Sequence, residues 1–177
     1  EDRYETSLRG PMLDFIADLG SRLRRLSPHV IADPRPVGGS MFRIHRDVRF
    51  SRDKSPYKTH AGAHFSYVRS GRDAHAPGFY LHMEPGHSLG GGGLWRPDAP
   101  ALAKVRGRIV ARPEEWRGVR RRLDIEGDRL RRVPAGYRAD HPLADDLRLT
   151  DYYVMEPFTE REVCGRDFMD RFVAVCR

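Results

Sequence analysis

The sequence predicts an α+β domain in which an antiparallel meander sheet packs against several helices. Three segments of alternating apolar and polar residues follow one another between residues 42 and 84. Their connections are too short for a crossover helix, which favours antiparallel neighbours. Segments with helical spacing of apolar residues lie before and after them, and strands grouped between helices are typical of α+β proteins. At 177 residues we expect the chain to form a single domain with its own core.

The first predicted element is an amphipathic helix that ends near Ser27. Pro11 either kinks this helix or begins it, because proline is tolerated only in the first helical turn. The segment IADPRPVGG that follows is predicted as a loop. The apolar residues that recur at helical spacing are Leu8, Met12, Phe15, Ile16, Leu19, Leu23 and Leu26.

The three predicted strands cover residues 42–50, 59–67 and 78–84. Residues of one strand point alternately to the two faces of a sheet, so each strand has one apolar and one polar side. We expect helices to cover the apolar side. The apolar side carries Phe42, Ile44, Val48 and Phe50, then Ala61, Ala63, Phe65 and Tyr67, then Phe79, Leu81 and Met83.

Helical and strand patterns alternate in the second half of the chain. The run Gly90–Gly93 is predicted as a loop, which is either a flexible or tightly turned connection against which Trp95 packs or a segment that folds over the polar side of the sheet. It lacks the spacing of a phosphate-binding loop, GxxxxGK[ST]. The remaining predicted elements are a helix capped by Asp98, a helix from Pro113 to about Leu123, a short helix from Pro142 to Leu149, a strand in DYYVMEPF, a capping box between Thr159 and Glu162, and a final helix with Phe168, Phe172 and Val175 on one stripe.

Composition predicts a soluble cytoplasmic protein without a membrane partner. No apolar run approaches the roughly 18 residues of a membrane span, and the first residues do not form a signal peptide. Cys164 and Cys176 are too few for a disulfide framework. The net charge of +7 favours an anionic partner only weakly, because net charge concerns solubility before function.

Several stretches resemble the family called domain of unknown function 2461. They are RIHRDVRFSRDKSPYKTH, GFYLHMEPG, GGGLWRP, VRGRI and GDRLRRVPAGYRADHP, in this order. The resemblance runs from about Tyr4 to Asp151 and implies a shared fold and site, without an activity. Family members usually begin with a further helix that contains an Asn-rich, Trp-containing segment, so we expect this chain to lack an N-terminal family helix before Glu1.

The stretch 42–60, FRIHRDVRFSRDKSPYKTH, predicts a site for a small anion such as a phosphorylated molecule. Basic groups on a loop stiffened by Pro56 are suited to hold phosphate or carboxylate groups, whereas the alternative is a solvated loop with surface ion pairs. An internal pair of Arg46 with Asp47 or Asp53 is a further structural alternative. The candidate ligand-binding residues are Arg43, Arg49, Lys54, Lys58, Tyr80, Gly91 and Gly92, and the candidate catalytic residues are Asp47, Asp53, Tyr57 and His82.

Six of the eight histidines lie between His45 and His87, which raises the question of a metal site. His60 and His64 share a face of one strand but lie roughly 13 Å apart, too far to bind one ion. A site would need one residue from each strand, such as His60, His82, and Glu84 or Asp47, a set that suits zinc or non-haem iron. This spacing is unspecific, so we assign no metal ligands, and the sequence identifies no cofactor.

Two function classes remain open. The first is an enzyme that acts on a small anionic substrate, and the second is a non-catalytic module that binds nucleic acid or an acidic protein. Nucleic acid is the less favoured partner, because the arginine clusters at residues 22–25, 120–122 and 131–132 lie on separate elements without interleaved aromatics. The sequence indicates neither the reaction nor the oligomeric state.

Overall fold

Four strands form one sheet in the computed structural model, which describes residues 2–50, 52–67 and 75–177. They are β1 (Ala61–Ser66), β2 (Gly78–Met83), β3 (Leu89–Leu94) and β4 (Tyr152–Pro157). Their order in the sheet follows their order in the chain, and β1 and β2 are antiparallel. The predicted α+β class with an antiparallel meander is therefore confirmed.

Helices precede the sheet, lie between β3 and β4 in the chain, and follow β4. The N-terminal helix α1 (Asp2–Tyr4) passes through a π-helical segment, Glu5–Arg9, into α2 (Gly10–Leu26), which has Pro11 in its first turn. The others are α3 (Ala99–Ala111), α4 (Pro113–Arg120), α5 (Ala144–Leu147), α6 (Glu160–Val163) and α7 (Phe168–Val175). None of the helices in the described part of the chain has the length and apolar character needed to cross a bilayer.

Two predicted helix caps are confirmed. The Asp98 side chain accepts a hydrogen bond from the amide of Ala101 at the start of α3. Thr159 and Glu162 form a reciprocal capping box at the start of α6. Each cap satisfies backbone amides that the first helical turn leaves without a partner, which explains why these sequence signals locate the helix starts.

Backbone contacts divide the described chain into two units. The first takes its residues from Glu1–Ala74, Gly78–Gly92 and Met155–Arg177, and the second from His75–Pro77 and Gly93–Val154. The division falls within β3 and β4. A division by backbone contacts does not test the number of domains, so the single domain expected from the sequence stays a prediction.

The core of the first unit lies between α2, α7 and the apolar side of β1 and β2. Phe172 of α7 is fully buried, and its ring centroid lies 5.8 Å from that of Phe65 and 6.3 Å from that of Phe15. The predicted apolar sides of the second and third sequence strands are confirmed for Ala61, Ala63, Phe65 and Leu81, whereas Tyr67, expected on the same side, is 37% exposed. The buried residues of α2, β1 and β2 in this core are Met12, Ile16, Leu19, Leu23, Ala61, Ala63, Phe65 and Leu81.

The second unit has a core of its own. Its buried residues are Ile109, Ile125, Leu143, Leu147, Leu149 and Tyr152. Arg120, from the predicted basic cluster 120–122, donates a hydrogen bond to the carbonyl of Ile125 and lies 3.4 Å from Asp146. At least one member of that cluster therefore has a structural role within its unit.

The predicted strand at residues 42–50 is wrong. The structure has isolated bridges instead, between Met41 and Ala63 and between His45 and Tyr57. The segment pairs with its own continuation: the Arg46 amide donates to Pro56 O and the Lys58 amide to Ile44 O. Pro56 has no amide to extend this pairing into a ladder. Phe50, expected on the apolar side, is 94% exposed.

The predicted loop Gly90–Gly93 is also wrong, because these residues belong to β3. A Cβ at Gly90 would lie 2.8 Å from the rings of Phe158 and Phe172, and one at Gly92 would lie 2.6 Å from the ring of Phe79. Glycine in a strand often marks such close approach. The run therefore makes room for aromatic rings and does not fold over the polar side of the sheet.

We predict that Gly90→Ala destabilises the protein. The added methyl group must displace two buried aromatic rings, and overpacking of this kind costs about 1–3 kcal/mol. The matched control is Gly107→Ala on α3, where a Cβ meets nothing within 4 Å. The control should be neutral or stabilising by up to about 1 kcal/mol. Urea unfolding of both variants measures the difference, and equal stabilities would contradict this packing.

Candidate functional site

The register between β1 and β2 determines which side chains meet on the polar side of the sheet. Gly62 pairs with His82 and His64 with Tyr80. Tyr80, His82 and Glu84 lie two residues apart, so they follow one another on the same face. His60 and Glu84 each lie one residue beyond the last pair, Ala61 with Met83. His60 and Glu84 are thus brought together at the end of this strand pair.

Gly62 provides the space in which the Tyr80 ring lies. A Cβ at Gly62 would be 2.9 Å from the Tyr80 hydroxyl oxygen and 3.3 Å from the ring of Phe42. Tyr80 Oη lies 3.1 Å from Nδ1 of His82. Burial raises the pKa of Tyr80, so its hydroxyl stays protonated at neutral pH. The tyrosine therefore contacts His82 as a neutral hydrogen-bonding group.

His60, His82 and Glu84 form a cluster, here called the His60 cluster. Nε2 of His82 lies 3.2 Å from Oε2 of Glu84, and the imidazole rings of His60 and His82 stack with centroids 4.2 Å apart. The hydroxyl of Thr59 donates to the other oxygen of Glu84. One potential metal-ligating atom from each member of the cluster lies within 4.8 Å of the others.

The His60 cluster contains an ionised carboxylate and a neutral imidazole. The hydrogen bond from Thr59, followed by the one with His82, lowers the pKa of Glu84 and keeps it ionised. Burial lowers the pKa of His60, and the neighbouring His82 and Lys58 lower it further. His60 is therefore a neutral imidazole at pH 7.

A cavity of about 1440 Å³ lies in the first unit next to the His60 cluster. Residues of the N-terminal helical segment, of the loops before β1 and of β1 itself line it. Its polar lining includes Arg43, His45, Tyr57, Lys58 and His60, so the motif at residues 42–60 contributes to its wall.

Lys58 and Arg43 differ from the other cations of this cavity. Arg9 pairs with Glu5 at 2.5 Å, and Arg35 pairs with Asp33. Within the described ranges, neither Lys58 nor Arg43 makes an ion pair. Lys58 is half-buried, with Nζ 5.6 Å from the centroid of the Phe42 ring. Burial, and then the charge of Arg43, lowers the pKa of Lys58.

Four of the predicted site residues lie outside the lining of the cavity, in the exposed loop. Asp47 Oδ2 lies 2.6 Å from Arg49 Nη2, and this hydrogen bonding lowers the pKa of Asp47 to about 2. Lys54 Nζ donates to the carbonyl of Val48 at 2.8 Å. Asp53 pairs with Arg46, one of the two pairings considered for that arginine, and accepts from the Ser55 amide, which lowers its pKa.

The predicted patch is therefore divided among four places. Arg43, Tyr57 and Lys58 line the cavity. Tyr80 and His82 contact each other beside it on β2. The charged residues Asp47, Arg49, Asp53 and Lys54 bind partners within their own loop, while Gly91 and Gly92 lie in β3. Their assignments as ligand-binding or catalytic residues stay predictions.

Sequence reasoning missed Gly62, Phe42 and Thr59 as parts of the site. A glycine within an alternating strand pattern is a signal of close backbone or side-chain approach, and Gly62 carried that signal. Phe42 was expected on the apolar side, yet its ring lies 6.2 Å from that of Tyr80. The contact of Thr59 with Glu84 depends on the strand register, for which the sequence offers no direct signal.

The family model described as Conserved hypothetical protein (DUF2461) matches residues 1–177, and the chain belongs to this family. The match extends the resemblance in the sequence motifs to the whole chain. Comparisons with curated proteins and with solved structures found no match.

We predict that Arg43→Ala raises the pKa of Lys58. The substitution removes a like charge that disfavours the protonated ammonium, whereas the contribution of burial remains. Arg35→Ala is the matched control, since Arg35 lines the same cavity but is paired with Asp33. NMR titration of the lysine side chain measures the pKa. A Lys58 pKa that responds equally to both substitutions would contradict the coupling to Arg43.

Proposed function

We propose that this DUF2461 protein binds a small anion in the cavity, with Lys58 and Arg43 as the groups that bind it. The observation that carries the proposal is the state of Lys58, which is half-buried, close to a second cation and without an ion-pair partner among the described residues. A cation removed from water without a counter-ion is unfavourable. A bound phosphate or carboxylate would supply the missing negative charge.

The rest of the cavity wall supports a ligand larger than the anionic group alone. Small-molecule sites typically have volumes of about 300–1,000 Å³, and this cavity of about 1440 Å³ exceeds that range. Apolar residues line it beside the two cations, among them Leu8, Ile31, Met41, Ile44 and Met83. We therefore infer a ligand with an anionic end and an apolar body, such as a phosphorylated or carboxylated metabolite.

Catalysis at this site would involve a smaller set of residues than the sequence alone indicates. Among the four candidate catalytic residues, Tyr57 lines the cavity, and His82 stacks on His60, which also lines it. Asp47 and Asp53 are ionised carboxylates in exposed ion pairs. We restrict a role in proton transfer to Tyr57 and His82. We also propose a cytoplasmic location, because Cys164 and Cys176 are free thiols.

The test is isothermal titration calorimetry with inorganic phosphate, pyrophosphate and citrate as probes. We expect saturable binding of at least one of them, weakened about tenfold or more by Lys58→Ala, because charged hydrogen bonds contribute about 1.5–3 kcal/mol. Lys104→Ala removes an exposed lysine on α3 and should leave the affinity unchanged. Binding should also raise the pKa of Lys58, because an anion favours its charged form.

Two results would overturn this proposal. One is equal affinity of the Lys58→Ala and Lys104→Ala proteins for every probe. The other is binding only to nucleic acid, with an affinity that falls steeply with salt and survives Lys58→Ala, as expected of the alternative module.

A further inference from the structure

We propose that the His60 cluster binds one divalent transition-metal ion, Zn²⁺ or Fe²⁺, through His60, His82 and Glu84. Two imidazoles and one carboxylate form a donor set that suits both ions. The inference is independent of anion binding, since neither Lys58 nor Arg43 is a ligand. A metal ion on His82 would leave Tyr57 alone in the role of proton transfer.

The spacing of the donor atoms fits a metal centre. Metal–nitrogen and metal–oxygen bonds of about 2.1 Å place neighbouring tetrahedral ligands roughly 3.4 Å apart. Nε2 of His82 and Oε2 of Glu84 are 3.2 Å apart, so their spacing already matches, and a metal ion would replace the proton that Nε2 donates to Glu84. One potential donor atom from each of the three residues lies within 4.8 Å of the others. Their separations therefore exceed the tetrahedral spacing by at most about 1.4 Å, which rotation of the His60 side chain out of its ring stack would remove.

Groups outside the donor set orient two of the three ligands. Metal-binding histidines usually donate their second ring N–H to a neighbouring acceptor, which fixes the tautomer. Tyr80 Oη lies 3.1 Å from Nδ1 of His82, so an N–H at Nδ1 leaves the Nε2 lone pair facing Glu84. Thr59 donates to the Glu84 oxygen that does not face His82. Both contacts leave the inner donor atoms available to an ion.

The His60 cluster is built on paired strands, and its side chains are partly shielded from solvent. His82 lies within β2 and is paired with Gly62, while His60 and Glu84 flank the last strand pair. The side chains of His82 and Glu84 are only 17% and 26% exposed. Three protein ligands leave at least one coordination position for water, which is the arrangement typical of catalytic zinc sites.

A nearby cation opposes metal binding, so its removal provides a further test of the site. Lys58 lies two residues from His60 and lines the same cavity, so its charge repels a cation placed between the ligands. Glu84 supplies the carboxylate of the cluster, which opposes this repulsion. Lys58→Ala should therefore tighten metal binding, although it weakens the binding of anions. The opposite signs distinguish failure of this inference from failure of the anion proposal.

The experiment uses the full chain without a histidine tag, freed of metal by chelation and dialysis. Calorimetric titration with Zn²⁺ should show one ion bound per chain. When Co²⁺ replaces Zn²⁺, the visible absorption spectrum of the bound ion should be that of a site with nitrogen ligands. His60→Ala, His82→Ala and Glu84→Gln should each weaken Zn²⁺ binding tenfold or more. Tyr80→Phe, which keeps the ring, should weaken it by a smaller factor through the lost contact with His82.

His87→Ala is the matched control, because His87 is an exposed histidine in the turn after β2 and lies outside the cluster. It should bind Zn²⁺ like the parent protein. Circular dichroism of each variant checks that the fold is retained. The inference is overturned if the parent protein binds no Zn²⁺, if the cluster variants bind as tightly as the His87→Ala protein, or if Lys58→Ala leaves or lowers the affinity for Zn²⁺.

Discussion

The pairing of β1 with β2 is the constraint on which the rest of the first unit depends. One side of this pair carries Ala61, Ala63, Phe65 and Leu81 into the core between α2 and α7. The same register places Gly62 opposite His82 and brings His60 to Glu84 on the other side. A shift by one residue would reverse both sides at once, because the side-chain period of a strand is two. Burial of the core therefore also holds the polar cluster together.

The charged side chains at residues 42–60 are of two kinds. Some form ion pairs with one another, and others have no such partner among the described residues. Arg49 with Asp47 and Arg46 with Asp53 are pairs within the exposed loop, of a kind that contributes little to stability. Lys58 and Arg43 line the cavity without such partners in the described residues. The net charge of residues 42–60 does not show which cations are paired, because pairing depends on the position of each side chain. Their position in the cavity wall, together with this lack of acidic partners among the described residues, is the reason that we propose Lys58 and Arg43 as the cations that meet a ligand.

Much of the fold was predictable from the sequence, since it follows from local patterns. Helical spacing identified α2, and capping residues located the starts of α3 and α6. The secondary-structure predictions for residues 42–50 and for Gly90–Gly93 were wrong because contacts with other parts of the chain determine these segments. In the first, backbone pairing with Pro56 and Lys58 replaced a ladder. In the second, the rings of Phe79, Phe158 and Phe172 occupy the space that side chains on β3 would need. The histidine–carboxylate set was foreseeable only as one combination among several, because the register selects it.

The most direct test of the claim that this register builds a ligand site is a crystal structure of the protein grown with Zn²⁺ and phosphate. Anomalous diffraction at the zinc edge locates the ion without reference to the protein coordinates. We expect one strong peak bonded to His60, His82 and Glu84, with phosphate density in contact with Lys58 in the cavity. Peaks confined to other histidines, with His60 still stacked on His82 and no density beside Lys58, would contradict it.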